Sequence, residues 1–459
     1  MSDDRRYAML VTAYLVAALV LGGASAAGLA ANLLLQLAGI AIATVAILRL
    51  RTTGLASDAR SALILLGAIM LIGPLQLVPL PPAIWTLLPG REPYVAGLAQ
   101  MGVAPPWLGL SLTPELTLRA SVALVPAAAL FLAVLAMDGA RRRWLAWAVV
   151  GVAIVSFLLG LAQLAGGMGS PLYFYDVTNA GSAVGFFSNR NHLATLLLAS
   201  LPMIGALMSE PAGGAALERP KIATRVSAVA AMLFVSVGVL ATQSRAGLLL
   251  LVPTALLTLA MGRRARTGIV SLPIVAAALL LLAGAIGFTL FGPGADRMAQ
   301  KTGSALETEV RIQALPLTAE AGRRHFPFGS GLGSFDGIYR GAAPTETLSA
   351  NYVNHAHNDY IELWLTAGLP FLVLLGAFLL WYAGAVRRTW KQRPEVSGPL
   401  PRAAALVIAI MLAHSMVDYP LRTAALSTLF ALAAALMLSP PRKPRSSSRK
   451  PGSVVTEIV

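Results

Sequence analysis

The chain contains no cysteine. Disulfides and cysteine-bound metal sites are therefore excluded, although that absence says nothing about compartment. Charge is scarce as well. Asp, Glu, Lys and Arg make up 12% of the 459 residues, against about 25% in a soluble globular domain. Hydrophobic residues supply 57%, the balance expected of a protein whose main solvent is lipid. No stretch is long enough for a separate soluble enzyme domain, apart from one loop near 292–366. A net charge of +15 would suit nucleic acid if the basic residues lined one polar face. They fall instead in short clusters between apolar runs, as membrane topology requires, so no nucleic-acid partner is expected.

Apolar stretches near spanning length recur roughly at 7–23, 29–48, 62–80, 120–137, 145–165 and 192–209, then at 226–242, 246–262, 268–291, 366–386, 403–420 and 423–439. The expected fold is all-α and polytopic, with about twelve transmembrane helices. The sequence Ala24-Ser25-Ala26 could pass for a signal-peptidase site, but apolar helices follow directly, and an uncleaved first span is expected. With the N-terminus in the cytoplasm, most of the 35 Lys and Arg residues fall on cytoplasmic segments, among them Arg141, Arg142, Arg143, Arg263, Arg264, Arg387 and Arg388. The positive-inside rule then places both termini in the cytoplasm. Four parts are expected. Residues 1–144 hold four spans and an outer loop, 81–119. Residues 145–386 form a core with the largest outer loop, 292–366, between the ninth and tenth spans. Residues 387–439 hold the last spans, and 440–459 read as a disordered basic tail.

Three outer constellations carry candidate chemistry. Arg190 lies in Phe187-Ser188-Asn189-Arg190-Asn191-His192 at the mouth of the sixth span. Arg245 lies in Gln243-Ser244-Arg245-Ala246-Gly247 at a tight turn between the seventh and eighth. Two interfacial arginines can grip a diphosphate, because guanidinium forks pair bidentately with phosphate oxygens; the plainer alternative is helix-end anchoring or snorkelling. The third is Asn354-His355-Ala356-His357-Asn358-Asp359-Tyr360, with Glu362 after it, where the large loop re-enters the membrane. The chain has only five histidines, and an imidazole can take the proton an attacking hydroxyl loses. Asp359 or Glu362 would orient it. His-X-His also suits zinc, but no clear third ligand accompanies it, so no metal is expected. A helix cap at Asn358 or Asp359 is compatible with either reading.

Lesser signals accompany these. Gly329-Ser330-Gly331-Leu332-Gly333 lacks the preceding strand and the following Lys-Ser/Thr of a nucleotide loop, and reads as a flexible turn. An amphipathic stretch, Leu306 to Arg323, precedes it. Arg311, Arg323, Arg324 and Arg340 extend the positive surface or line solvated faces. His414 and Asp418, four apart near the outer end of the eleventh span, share a helical face.

In order and context these motifs resemble the O-antigen ligase and O-antigen polymerase superfamily of bacterial envelope glycosyltransferases. The resemblance covers roughly residues 145 to 385, with a looser echo at His414 to Pro420. It implies a GT-C-like membrane fold in the bacterial inner membrane, active on the periplasmic face and needing no cofactor. It implies as partners membrane lipids, a glycan donor linked through diphosphate to undecaprenol, and an acceptor that is lipid A-core or another lipid-linked glycan. Carried over by residue, Arg190 and Arg245 clamp the diphosphate, His357 is the better match for the family histidine because Asn follows it, and His355 is the second choice. Asn189, Arg311, Asp359 and Glu362 are supporting candidates. Two rivals share the topology, a transporter or flippase and a non-catalytic regulator or scaffold. Transporters place ionisable residues and broken helices at the midplane, whereas these candidates sit at one face.

Overall fold

The computed structural model describes residues 2–25, 30–209, 222–263, 304–344, 354–391 and 398–440. Among them the chain is helical, with no strand and one isolated bridge between Leu80 and Leu108. The first helices are α1 (Asp3–Leu21), α2 (Ala30–Thr53) and α3 (Ala59–Leu77). Short helices α4 (Pro82–Trp85) and α5 (Glu92–Gln100) follow, then α6 (Pro114–Val122), α7 (Val125–Leu135), α8 (Arg142–Gly166) and α9 (Arg190–Ser209). Next come α10 (Ile222–Thr242), α11 (Arg245–Arg263), α12 (Ser304–Arg324) and α13 (Phe335–Ala342). The last are α14 (Asp359–Lys391), α15 (Leu400–His414) and α16 (Ala424–Leu436).

Every expected apolar stretch within the described residues is built around a helix; the ninth, 268–291, lies outside them, as does the tail after 440. Among the described residues, six helical stretches are long and apolar enough to cross a membrane: Ala30–Thr53, Ala59–Leu77, Pro114–Leu135, Gly139–Gly166, Arg190–Ser209 and Asp359–Lys391. The chain is thus a polytopic helical membrane protein. α9 is its axis. Apolar on all sides, it buries nearly its whole length and packs against α8, α10, α11 and α15, as an all-round apolar helix must.

Contacts sort the loops to two ends. At one end Arg49 pairs with Asp3 and Asp4, Arg141 pairs with Asp138 at 2.6 Å, and Asp58 accepts the Ser439 N–H at 3.0 Å. Buried Arg142 there donates to the carbonyls of Val134 at 3.0 Å and Leu438 at 2.5 Å, satisfying the orphan C-termini of α7 and α16. At the other end Gly22 accepts from Ala425 N at 3.0 Å, Gly23 accepts from Ser188 N at 3.2 Å, and Leu112 N donates to Ser330 O at 2.9 Å. The expected outer segments therefore meet one another.

Two expectations need correction. The tenth span does not begin at 366: α14 starts at Asp359 and breaks at Gly368, which has φ +56. Pro370 has no N–H, and Leu369 N donates sideways to Pro327 O at 2.8 Å. The carbonyls of Leu365 and Thr366 are thereby released from the helix. Ser330 N and Gly331 N take them, each at 3.0 Å, and Gln76 Nε2 also reaches Thr366 O at 2.9 Å. Gln76 Oε1 in turn accepts from Leu332 N at 2.9 Å. The glycine run is accordingly neither a phosphate cradle nor a flexible turn, because the N–H groups of Gly329, Ser330, Gly331 and Leu332 are consumed inside the protein. Gly331 adopts φ +107 and a Cβ there would lie 2.4 Å from Ser111 Oγ, so only glycine fits.

Candidate active site

Three helix starts converge at the end where the outer segments meet. Asn189 caps α9, its Oδ1 accepting from Asn191 N at 2.8 Å, and Asn179 Oδ1 takes the N–H of Arg190 at 3.1 Å. These side chains satisfy backbone donors that a helix N-terminus leaves open. Arg190 itself is buried. Gln243, at φ +54, makes the tight turn before α11, and Ser244 caps it, Oγ accepting from Gly247 N at 3.1 Å. Arg245 is the first residue of α11 and is exposed. Close packing ties these two starts together, for a Cβ on Gly247 would lie 2.8 Å from the Ala194 methyl. Asn358 caps α14, accepting from Tyr360 N and Ile361 N at 3.0 Å.

The imidazoles of His355 and His357 both face the ring of Tyr419, at 4.5 and 4.9 Å between centroids. Each is backed by a carboxylate. His355 Nδ1 lies 3.0 Å from Glu362 Oε1, and His357 Nδ1 lies 3.2 Å from Asp418 Oδ1. His357 has φ +51, an uncommon backbone for a residue other than glycine. Glu362 also accepts the Ala356 N–H at 3.0 Å and lies 3.4 Å from Arg422 Nη2. Arg422 Nε donates to Asp359 Oδ1 at 3.1 Å, and Ser415 Oγ donates to Asp359 Oδ2 at 2.9 Å. Burial pulls the Arg422 guanidinium down, but Glu362 and Asp359 more than offset that and hold it above its ordinary value. A carboxylate on Nδ1 favours the tautomer that leaves Nε2 as the proton acceptor, as general base catalysis needs.

The sequence-based candidates thus fall into different positions. His355, His357, Asp359 and Glu362 share one network. Arg190 stands two residues before His192, whose ring lies 5.2 Å from that of Tyr419. Arg245 belongs to the same end through the α9–α11 contact. Asn189 is a cap. The Arg311 side chain lies outside the described residues, while Arg323 and Arg340 pair with Glu320 and Asp336 on exposed faces. Of the two carboxylates expected to orient an imidazole, Glu362 does so, whereas Asp359 holds Arg422 instead. Asp418 is not on the eleventh span: α15 ends at His414, and the following turn carries Asp418 to His357.

Sequence reasoning missed Tyr419 and Arg422. It also passed over His192, buried at 1% exposure, with no hydrogen-bond partner for either ring nitrogen among the described residues. The available signal for Arg422 was its side: a basic residue between two apolar runs on the outer face, against the positive-inside bias.

A membrane protein with paired imidazoles and carboxylates gathered at one end is the class that fold and site define. Residues 230–376 match the family model described as O-antigen ligase. The resemblance to the O-antigen ligase and polymerase superfamily therefore holds over that segment, which contains Arg245, the glycine run and both loop histidines, while Arg190 precedes it. Over that segment the chain is similar to the O-antigen ligase family. No curated protein matches the chain.

Proposed function

We propose that the chain transfers a glycan from an undecaprenyl-diphosphate carrier to an acceptor hydroxyl on the periplasmic face of the bacterial inner membrane. The acceptor is lipid A-core or a second lipid-linked glycan. The observation that carries this reading is the pair of carboxylate-backed imidazoles just before α14, at the end where α9 and α11 begin with Arg190 and Arg245. In the reaction the acceptor oxygen attacks the anomeric carbon and its proton passes to an imidazole, with His357 the first candidate and His355 the second. The bond to the diphosphate oxygen breaks, its electron pair stays on the diphosphate, and attack opposite the leaving group inverts the anomeric centre. Arg190 and Arg245 meet the charge that builds there, where electrostatic stabilisation accelerates chemistry most. Their permanent charge takes the place of a metal ion. The proposed topology is twelve spans with both termini cytoplasmic, in the four parts 1–144, 145–386, 387–439 and 440–459.

The test is transfer by the purified protein supplied with undecaprenyl-diphosphate glycan and both acceptors. Arg245→Ala is expected to abolish product while the protein still inserts and purifies normally, and Arg245→Lys to remain poor because one ammonium cannot grip bidentately. Near-normal transfer by the Ala variant would remove Arg245 from the mechanism. Which acceptor is consumed by the unaltered protein separates ligase from polymerase.

A further inference from the structure

We propose that residues 80–110 form an interfacial arm lying in the outer leaflet of the membrane. The segment is built inside out for a loop in water. Its inward contacts are polar: Trp85 Nε1 donates to Pro106 O at 2.7 Å, and Leu80 and Leu108 exchange backbone hydrogen bonds at 2.9 and 3.3 Å. Arg91, only 1% exposed, donates to Leu110 O and, at 3.5 Å, to Gly329 O. Trp85 is buried at 1% exposure, but several other large apolar side chains point away from the protein. Leu87 is 82% exposed, Met101 69% and Trp107 65%, and α5 buries none of its residues. Arg91 and Glu92 are the segment's sole charged residues. An arginine turned inward beneath exposed Leu, Met and Trp is unfavourable in water on both counts; against hydrocarbon and headgroups it is the expected arrangement.

Continuity identifies lipid as the occupant. The outward stripe of α3, a candidate span, runs through Ile64, Leu71, Leu75 and Val78. Next along the chain come the exposed Ile84 and Leu87 of the arm. Tyr94 and Trp107, both exposed, are the ring types that collect at membrane interfaces. At the same end α12 and α13 show water the opposite character, with Arg323–Glu320 and Arg340–Asp336 pairs on exposed faces. The arm also bears on the site. Through Arg91 it reaches the glycine run at Gly329 O, and that run holds the first segment of α14, so the depth of the arm sets the height of His355 and His357 above the leaflet. The inference rests on the chain being membrane-embedded and not on the transfer reaction.

Because the chain lacks cysteine, single cysteines can be labelled cleanly. Leu87→Cys, Met101→Cys and Trp107→Cys would each carry an environment-sensitive fluorophore in the full-length protein, reconstituted into phosphatidylethanolamine–phosphatidylglycerol vesicles. Gly341→Cys is the aqueous control, since a Cβ there meets nothing within 4 Å. The three arm positions are expected to emit at shorter wavelength than the control. They should lose emission to lipids spin-labelled near the headgroup and resist aqueous iodide, with the control behaving oppositely. Iodide quenching at all three arm positions would overturn the proposal. So would shielding from both quenchers, which would mark a second copy or another protein on this surface. Since nothing in the readout depends on turnover, an inactive preparation leaves the result interpretable.

Discussion

Replacing Arg422 by Gln isolates the charge network behind the imidazoles. The guanidinium sits 3.1 Å from Asp359 and 3.4 Å from Glu362, whose side chains are 3% and 1% exposed, while its own is 17% exposed. With His355 neutral, the three charged groups carry one net negative charge. Arg422→Gln leaves two, close together and almost dry. Removing one member of a buried ion pair costs roughly 3–5 kcal/mol, mostly for the charge left behind; partial exposure of Arg422 places this case near the low end, about 3 kcal/mol. Adding Asp359→Asn returns the cluster to one net negative charge. The double variant is therefore expected to be more stable than Arg422→Gln alone, a sign of coupling that independent sites cannot give. Urea unfolding in detergent micelles, followed by tryptophan fluorescence, measures all four corners of the cycle. A double variant less stable than the single one would refute the view that Arg422 acts as the counter-charge of this pair.

His357→Ala is expected to lose at least a hundredfold in turnover, within the roughly 10²–10⁴-fold contribution of a general base, while retaining binding of the lipid-linked donor. Full activity in that variant beside an inactive His355→Ala would transfer the role to the Glu362-backed imidazole. Gly331→Ala must place a Cβ against Ser111 at φ +107, and the combined strain and overpacking are expected to destabilise by roughly 2–4 kcal/mol; an unchanged unfolding midpoint in the same urea assay would mean the glycine run does not brace α14.

What was legible in the sequence was local. Asn358 announces a helix start because a cap acts on N–H groups two or three residues ahead, and the apolar runs announce helices because lipid demands internal backbone pairing. The turn at Gln243 and Ser244 is short enough to read directly. The pairings that build the site are not local. His357 meets Asp418 across 61 residues and Arg422 meets Asp359 across 63, and no spacing rule links them. Apolarity carried the expected eleventh span on to Pro420, past His414 where α15 stops, and so put Asp418 on the wrong element. The glycine run declared its positive φ, but not that Gln76, 256 residues earlier, takes the Leu332 N–H.

The break in α14 bears on the transporter reading, since broken helices in transporters expose backbone carbonyls or N–H groups to a bound ion near mid-membrane. Here the freed carbonyls of Leu365 and Thr366 accept from Ser330, Gly331 and Gln76, leaving that backbone engaged by the protein itself. The break also lies only nine residues from the helix start at Asp359, a rise of about 14 Å, so the first segment is too short to reach across a leaflet and back. Its Asn358 cap, Asp359 and Glu362 all face the outer cluster. A kink that uses its liberated carbonyls to lock a short helix against the outer loops serves to fix the imidazoles that helix supports. Ion coordination would need those same oxygens unoccupied, and the geometry therefore favours an interfacial enzyme over a carrier.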